Sequence, residues 1–348
     1  MKVTPKQIET VYDETNAVQH YLSKSRRDGV KVEWEEPFSR SVFKQAIAQW
    51  GLAFPGRARE RGGGKLRVLD VGSGTGDGYV LLSRLLLEDS ELGSSYELDY
   101  LGVDISAQMV ETANELYGNH SNVRFECADL RTREFHRPFD VYLSCGVPYS
   151  HLTHDELNQA LKKIAENACE NRSRCAVVVD VLGRYSIEWT PKWKESRWDY
   201  AMSFFESEGN AEPTWMSFYS HQHLQEVMQE AADAVGCPVE KFEFFDRSIM
   251  VGRHTSTGQF NPELPKYRNL VNSLLDPSQE TELSQLIFQV ELGSAPDNIL
   301  DFFRKFSGWW NSLVGDATAV LGGYLAVDPV ELPLKFKDLR QPPRKNCN

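Results

Sequence analysis

The 348-residue chain lacks features that would assign it to several common protein classes. No apolar run approaches the roughly 20 residues needed to cross a bilayer, and the first residues lack the basic and apolar regions of a signal peptide. The six cysteines include no C-x-x-C pair, which argues against a zinc site or a disulfide framework. We therefore expect a cytoplasmic protein with reduced cysteines, no metal site and no membrane segment.

An excess of basic residues is also missing. Lys and Arg number 38 against 50 Asp and Glu, which gives a formal net charge of −12. Nucleic-acid binding depends largely on Lys and Arg contacts to phosphate, so this balance disfavours a nucleic-acid partner. Apolar residues at 41% and charged residues at 25% are ordinary values for a folded globular protein.

Between Leu66 and about His254, short β-branched runs alternate with amphipathic segments, a pattern typical of βαβ units around a parallel sheet. The pattern predicts strands at 66–71, 98–103, 123–126, 139–145 and 174–181, and helices at 77–88, 106–117, 153–170 and 220–235. Thr153 and Glu156 form a capping box at the start of the third helix. Two later runs, KFEFFD and SIMVGRH, lie too close together for a crossover helix, so we predict an antiparallel hairpin after five parallel strands. The predicted fold class is α/β.

Two segments flank this core, and one interrupts it. The predicted domains are an N-terminal cap (1–63), the core (64–254, with an insertion at 185–219) and a helical C-terminal extension (255–348, with helices at 279–292 and 295–314). The insertion is rich in aromatic residues, and a connection of this length is usually functional. We expect a lid that shapes an organic substrate pocket, with an aromatic core under two inserted helices as the alternative. The extension is a candidate surface for a homodimer.

The strongest motif is VLDVGSGTGDG at residues 68–78, where a buried strand ends at Asp70 and enters a glycine-rich turn. Its glycines allow a tight turn and close approach of the backbone to a ligand at a helix N-terminus. The spacing is not the G-x-G-x-x-G of dinucleotide-binding folds, and no G-K-[ST] of a P-loop follows. The pattern is D-x-G-x-G-x-G.

This pattern resembles that of the class I S-adenosylmethionine-dependent methyltransferases, and the resemblance covers roughly residues 64–254. In that family, acidic residues after the second and third strands bind the ribose and the adenine, and the matching residues here are Asp104 and Asp129. The resemblance implies a Rossmann-like seven-stranded sheet and S-adenosylmethionine as the cofactor. The cofactor-binding residues that it implies are Asp70, Gly72, Ser73, Gly74, Gly76, Asp104, Ile105, Asp129, Leu130 and Cys145.

Physical chemistry favours the same positions. One ionised carboxylate accepts both hydrogen bonds of a ribose diol, and an exocyclic amine needs an acceptor. Ligands of open α/β sheets bind at the carboxyl ends of the strands, where Gly72, Asp104, Asp129 and Cys145 are predicted to lie.

Catalysis is less clearly encoded. Methyl transfer needs a base only when the acceptor must lose a proton. His151 follows the fourth strand, and its ordinary pKa near neutrality suits a general base for a hydroxyl acceptor. His221 is a second candidate, and it cannot share one helix face with His223. We expect His154, in the first turn of a helix, to be solvated.

The predicted function is methylation of a hydroxyl on a small organic or carrier-tethered acceptor. The chain lacks the Asn/Asp-Pro-Pro-Tyr/Phe motif that enzymes methylating nucleobase and glutamine amines carry after the fourth strand, and GVPY at 146–149 is only distantly similar. Two alternatives stay open. One is N-methylation of a small-molecule or protein amine, and the other is a non-catalytic cofactor-binding module on the same fold.

Overall fold

A parallel sheet forms the centre of the computed structural model, which describes residues 28–53, 64–87, 90–91, 96–170, 174–200, 214–246, 264–265, 267–289 and 291–321. The strands are β1 (Gly64–Val71), β2 (Tyr96–Asp104), β3 (Val123–Cys127), β4 (Val141–Ser144) and β5 (Ala176–Val177). They are parallel, in the order β3-β2-β1-β4-β5. This result confirms the predicted α/β class with five parallel strands. The strand order reverses between β1 and β4, which creates a crevice at their carboxyl ends.

Helices cover both faces of the sheet, namely α1 (Glu36–Ala53, after a π-helical turn at Lys31–Glu35), α2 (Asp77–Ser83), α3 (Ala107–Tyr117), α4 (His154–Glu170) and α5 (His221–Asp233). Two further helices, α6 (Tyr267–Leu275) and α7 (Asp297–Leu321), pack in a separate hydrophobic core. The predicted capping box is present, because Glu156 N donates to Thr153 Oγ1 and Thr153 N donates to Glu156 Oε2. None of the helices in the described part of the chain has the length and apolar character to cross a membrane.

Alternation of side chains along β1 explains the two cores. Leu66 and Val68 pack on the face covered by α1, α2 and α3, whereas Leu69 and Val71 pack on the face covered by α4 and α5. All four side chains are buried, and full burial of each is worth about 1.5–3 kcal/mol. The sheet therefore fixes the positions of the loops at its carboxyl edge.

In its described residues, 185–200 and 214–219, the insertion contains a 3₁₀ turn at Ile187–Lys192 and a small sheet, and no α-helix. Its strands are β7 (Arg197–Tyr200) and β8 (Thr214–Tyr219), and β8 also pairs in parallel with β6 (Leu182–Gly183). Trp198 stacks on Phe218 with ring centroids 4.0 Å apart, and Trp193 packs on Phe303 of α7 at 5.1 Å. These aromatic residues thus form a core with the C-terminal extension. This arrangement is close to the alternative of an aromatic core, and the lid role stays a prediction.

The fifth strand is shorter than predicted. Val178 N still donates to Tyr142 O, but Asp180 N donates to the Ser144 hydroxyl at 2.7 Å instead of to a backbone carbonyl. The side-chain bond ends the ladder and turns the chain away from the sheet.

The predicted helix at 279–292 is wrong. This segment has only a 3₁₀ turn at Leu283–Leu286, because the backbone of Phe288 exchanges two hydrogen bonds with the Asn311 side chain instead of continuing a helix. The helix α7 predicted from 295 is confirmed. In the predicted hairpin, residues 241–246 are not part of a strand, and 247–263 lie outside the described residues, so the hairpin stays a prediction.

Candidate functional site

The glycine turn lies at the carboxyl end of β1. Gly72, Gly74 and Gly76 have φ angles of 66°, 52° and 99°, a left-handed region that favours glycine. A Cβ on Gly72 would lie 2.3 Å from Pro148 Cβ, so a side chain there would collide with the loop after β4. Only a residue without a side chain therefore fits at Gly72. We call the turn from Gly72 to Gly76 the cradle.

Asp104 connects the turn to the neighbouring strand β2. Its Oδ2 accepts a hydrogen bond from Gly74 N at 2.8 Å, and its Oδ1 accepts one from Ser106 N at 2.9 Å. These two bonds hold the carboxylate against the turn, and a contact of Asp104 with a ribose stays a prediction. Ile105, half-buried, follows it directly.

The next acidic residue along the edge, Asp129, is held by an arginine. Arg131 pairs with Asp129 at 2.7 Å and with Glu156 at 2.9 Å. Hydrogen bonds from Arg131 lower the pKa of Asp129, so its carboxylate is ionised at neutral pH. Leu130 beside it is half-buried. A contact of Asp129 with an adenine amine stays a prediction.

The structure corrects the role predicted for Asp70. The residue has no exposed surface, so it makes no direct contact with a ligand. The hydroxyl of Tyr100 donates to it, and a Cβ on Gly78 would lie 2.1 Å from its Oδ2. Burial raises the pKa of Asp70 to about 8, and the nearby carboxylates of Asp104 and Asp77 contribute to that rise. Asp70 therefore stabilises the turn from the buried side.

Ser73 and Cys145 complete the predicted cofactor set. Ser73 is buried in the turn, and its hydroxyl has no hydrogen-bond partner among the described residues. Cys145 is half-buried just after β4. A role for either in binding stays a prediction.

The loop after β4 lies against the glycine turn. Gly146 and Val147 both have positive φ angles, and Asp180 Oδ2 accepts hydrogen bonds from their amides at 2.8 and 3.3 Å. Sequence reasoning missed Asp180. It ends the run AVVVD, so an acidic residue at the end of a strand, the signal that identified Asp104, was also available here.

His151 ends the 3₁₀ turn Pro148–His151 that follows this loop. It is only 7% exposed. Burial, together with the positive charge of Arg197, lowers its pKa from 6.5 to about 4, so the imidazole is neutral at pH 7. A neutral imidazole accepts a proton, but a pKa so far below the working pH makes it a weak base.

Three further histidines, His154, His221 and His223, lie in two different environments. His154 is half-buried, against our expectation, and its ring lies 4.3 Å from that of His223 and 5.0 Å from that of Tyr219. His221 is exposed, lies 5.7 Å from Phe244 and lines a cavity. His221 and His223 therefore point in different directions, as their spacing predicted.

This cavity has a volume of about 1010 Å³. Ser144, at the end of β4, and Val147, in the loop after it, are among its lining residues. The lining also includes aromatic side chains of the cap, of the segment after β6 and of α7, namely Trp34, Phe38, Tyr185, Trp189 and Phe302. The predicted N-terminal cap and aromatic insertion thus supply walls of one space.

Two sets of ion pairs fix the cap. Lys31 pairs with Asp77 in the first turn of α2 at 2.9 Å. Arg268 of α6 pairs with Asp28 at 2.6 Å and with Glu35 at 2.8 Å. Sequence reasoning missed both sets. They join the C-terminal extension, the cap and the glycine turn.

Residues 68–168 match the model of a family described as a methyltransferase domain. No curated protein sequence matches the chain.

Three solved structures illustrate the structural likeness. An S-adenosylmethionine-dependent methyltransferase from Clostridium acetobutylicum is 14% identical, with 53% of this chain and 79% of that chain covered and a TM-score of 0.35. CalS10, an amino pentose methyltransferase from Micromonospora echinaspora, is 13% identical (54% and 81% covered, TM-score 0.33). CcbJ, a methyltransferase from Streptomyces caelestis, is 15% identical (54% and 77% covered, TM-score 0.38).

Proposed function

We propose that this chain, which contains a class I methyltransferase domain and uses S-adenosylmethionine as its cofactor, methylates a hydroxyl of a small organic acceptor, free or tethered to a carrier. The observation that carries the proposal is the contact between Pro148 and Gly72, which brings the loop with His151 onto the cofactor cradle. A base on that loop is needed when the methyl acceptor is an alcohol or a phenol, because the hydroxyl must then lose its proton.

The residues at the turn fit the cofactor. Three left-handed glycines leave room for a close ligand, and Asp104 presents carboxylate oxygens that suit a ribose diol. The carboxylate of Asp104 also places negative charge at the cradle, which favours a ligand carrying a sulfonium and an ammonium group, whereas Asp77 is paired with Lys31. When bound, S-adenosylmethionine supplies a methyl group on a positively charged sulfur.

The chain's own residues then have distinct tasks. We assign the cofactor to Asp104 and the turn, and the acceptor to the cavity with its aromatic side chains. We assign the hydroxyl proton of the acceptor to His151, which is neutral at pH 7 but is a weak base at its lowered pKa and is not among the residues that line the cavity. His221 lines the same cavity and is a second candidate for contact with the acceptor. Because alignment supplies much of the acceleration in such displacements, the walls matter as much as the base.

The test is the variant His151→Gln. Loss of a true general base lowers turnover by about 10²- to 10⁴-fold. Affinity for S-adenosylhomocysteine, measured by calorimetry, should remain at the wild-type level. Turnover requires an acceptor, so a screen of phenols, alcohols and amines with cofactor consumption as the readout comes first. Near-normal turnover in the variant would remove His151 as the base and leave N-methylation as the better reading.

A further inference from the structure

A polar pocket lies on the face of the small sheet that points away from the aromatic core. In the β7–β8 pair, Arg197 is directly opposite Ser217, and side chains alternate along each strand. Arg197, Ser217 and Tyr219 therefore share one face, while Trp198 and Phe218 fill the core on the other. Ser217 Oγ donates to Leu152 O at 2.7 Å, which places this face against the start of α4.

Two helix N-termini meet at the same place. His154 begins α4, and His223 lies in the first turn of α5, with ring centroids 4.3 Å apart. One turn further along, Asn158 Nδ2 donates to Val227 O, so the two helices run in parallel. Each N-terminus carries free amide donors and a partial positive charge, and both are directed at the pocket.

Polar atoms of two side chains in this pocket lack a hydrogen-bond partner. His154 Nε2 and Arg197 Nε have none among the described residues, whereas the hydroxyl of Tyr219, which is only 3% exposed, lies within reach of the Ser217 side chain. No described carboxylate forms an ion pair with Arg197. The nearest acidic residues in sequence, Asp155 and Asp199, are both exposed.

Charges of both signs act on this pocket. Burial, with the positive influence of His223 and Arg197, lowers the pKa of His154 to about 4, and the carboxylate of Asp155 acts against that shift. The same guanidinium acts on His151 and Tyr219. An unpaired, half-buried guanidinium beside unsatisfied buried donors is costly unless an acceptor of negative charge occupies the space.

We propose that this arginine–histidine pocket, formed by Arg197, Tyr219, His154 and His223, binds an oxyanion carried by the acceptor, either a carboxylate or a phosphate. Arginine and two helix N-termini suit both groups equally. Tyr219 also lines the large cavity, so a ligand in that cavity reaches the pocket with its acidic end. The assignment to the acceptor rests on the proposed function, whereas oxyanion binding by the pocket does not.

The experiment follows imidazole resonances of the full chain by NMR during titration with inorganic phosphate and, separately, with acetate at constant ionic strength. The resonances of His154 and His223, assigned with His→Gln variants, should shift saturably with at least one of the two ions. Arg197→Gln should weaken that binding about tenfold or more, the loss of one charge-assisted contact. Arg304→Gln is the matched control, because Arg304 pairs only with exposed Asp301 on α7.

Saturation by phosphate alone or by acetate alone identifies the group and supports the proposal in either case. No saturable shift with either ion, or equal affinity in Arg197→Gln, overturns it. If Arg197→Gln does not fold, Arg197→Lys keeps the charge, loses the fork geometry and should bind with intermediate affinity. In turnover assays, the ion that binds should raise the KM for the acceptor and leave kcat unchanged, and inhibition of kcat alone overturns the assignment to the acceptor. Absence of any methyl transfer leaves the NMR result standing.

Discussion

The buried histidine after β4 makes the stability of the chain dependent on pH in a predictable way. His151 is 7% exposed, and its pKa is lowered from 6.5 to about 4 in the folded chain. In the unfolded chain it returns to its ordinary value. Between pH 6.5 and pH 4 the unfolded state therefore binds more protons, and the free energy of unfolding falls as the pH is lowered through that window.

The size of the effect follows from the two pKa values. A fall from 6.5 to about 4 corresponds to about 3 kcal/mol once the pH lies below both values. At pH 5 about 2 kcal/mol of this has developed, and at pH 7 almost none. Other groups with shifted pKa values, Asp70 and His154 among them, contribute equally to the wild type and to a variant at His151, so a comparison of the two cancels them.

The assay is urea unfolding at pH 7 and pH 5, followed by tryptophan fluorescence and by circular dichroism. Between these pH values, His151→Gln should lose about 2 kcal/mol less stability than the wild type. His136→Gln is the control, since His136 is an exposed histidine on the surface and should behave as the wild type does. An identical pH dependence in the wild type and His151→Gln would refute the argument, because it would mean that His151 is protonated as readily in the folded chain as in the unfolded one.

Three further predictions concern the turn and the cap. Gly72→Ala should lower the free energy of unfolding by about 2 kcal/mol or more in urea titrations, because it combines a left-handed φ with a collision against Pro148, and a wild-type midpoint would contradict this. Asp104→Asn should weaken S-adenosylhomocysteine binding about tenfold or more by calorimetry, and unchanged affinity would remove Asp104 from the cofactor site. Arg268→Gln should destabilise the chain by about 3 kcal/mol, because it leaves two partly buried carboxylates without a cation, whereas Arg304→Gln should change stability by less than about 0.5 kcal/mol.

Most of the sheet was predictable because its signals are local. Strands β1 and β2 carry buried, mostly apolar side chains toward their carboxyl ends, and the capping box of α4 lies within four residues. The errors arose where a distant group replaced a local hydrogen bond. Ser144 ends β5 by taking the amide of Asp180, and Asn311 prevents a helix at Phe288. No pattern within either segment records these partners.

The candidate site shows the same contrast between local signals, which were predictable, and distant partners, which were not. The glycine turn is encoded by backbone conformation, which glycine spacing reveals directly, and so the turn and Asp104 were predicted.

The electrostatic role of a side chain depends on the groups that surround it in the fold. The spacing of residues in the sequence does not reveal those groups. Asp70 resembled a ligand-binding acid but is buried under α2, and His154 resembled a solvated helix residue but faces a second helix start. Arg268 carried no signal at all, since its partners Asp28 and Glu35 lie 240 and 233 positions away. Because those pairs fix the cap that walls the cavity, the extension belongs to the site even though no motif in it indicates a function.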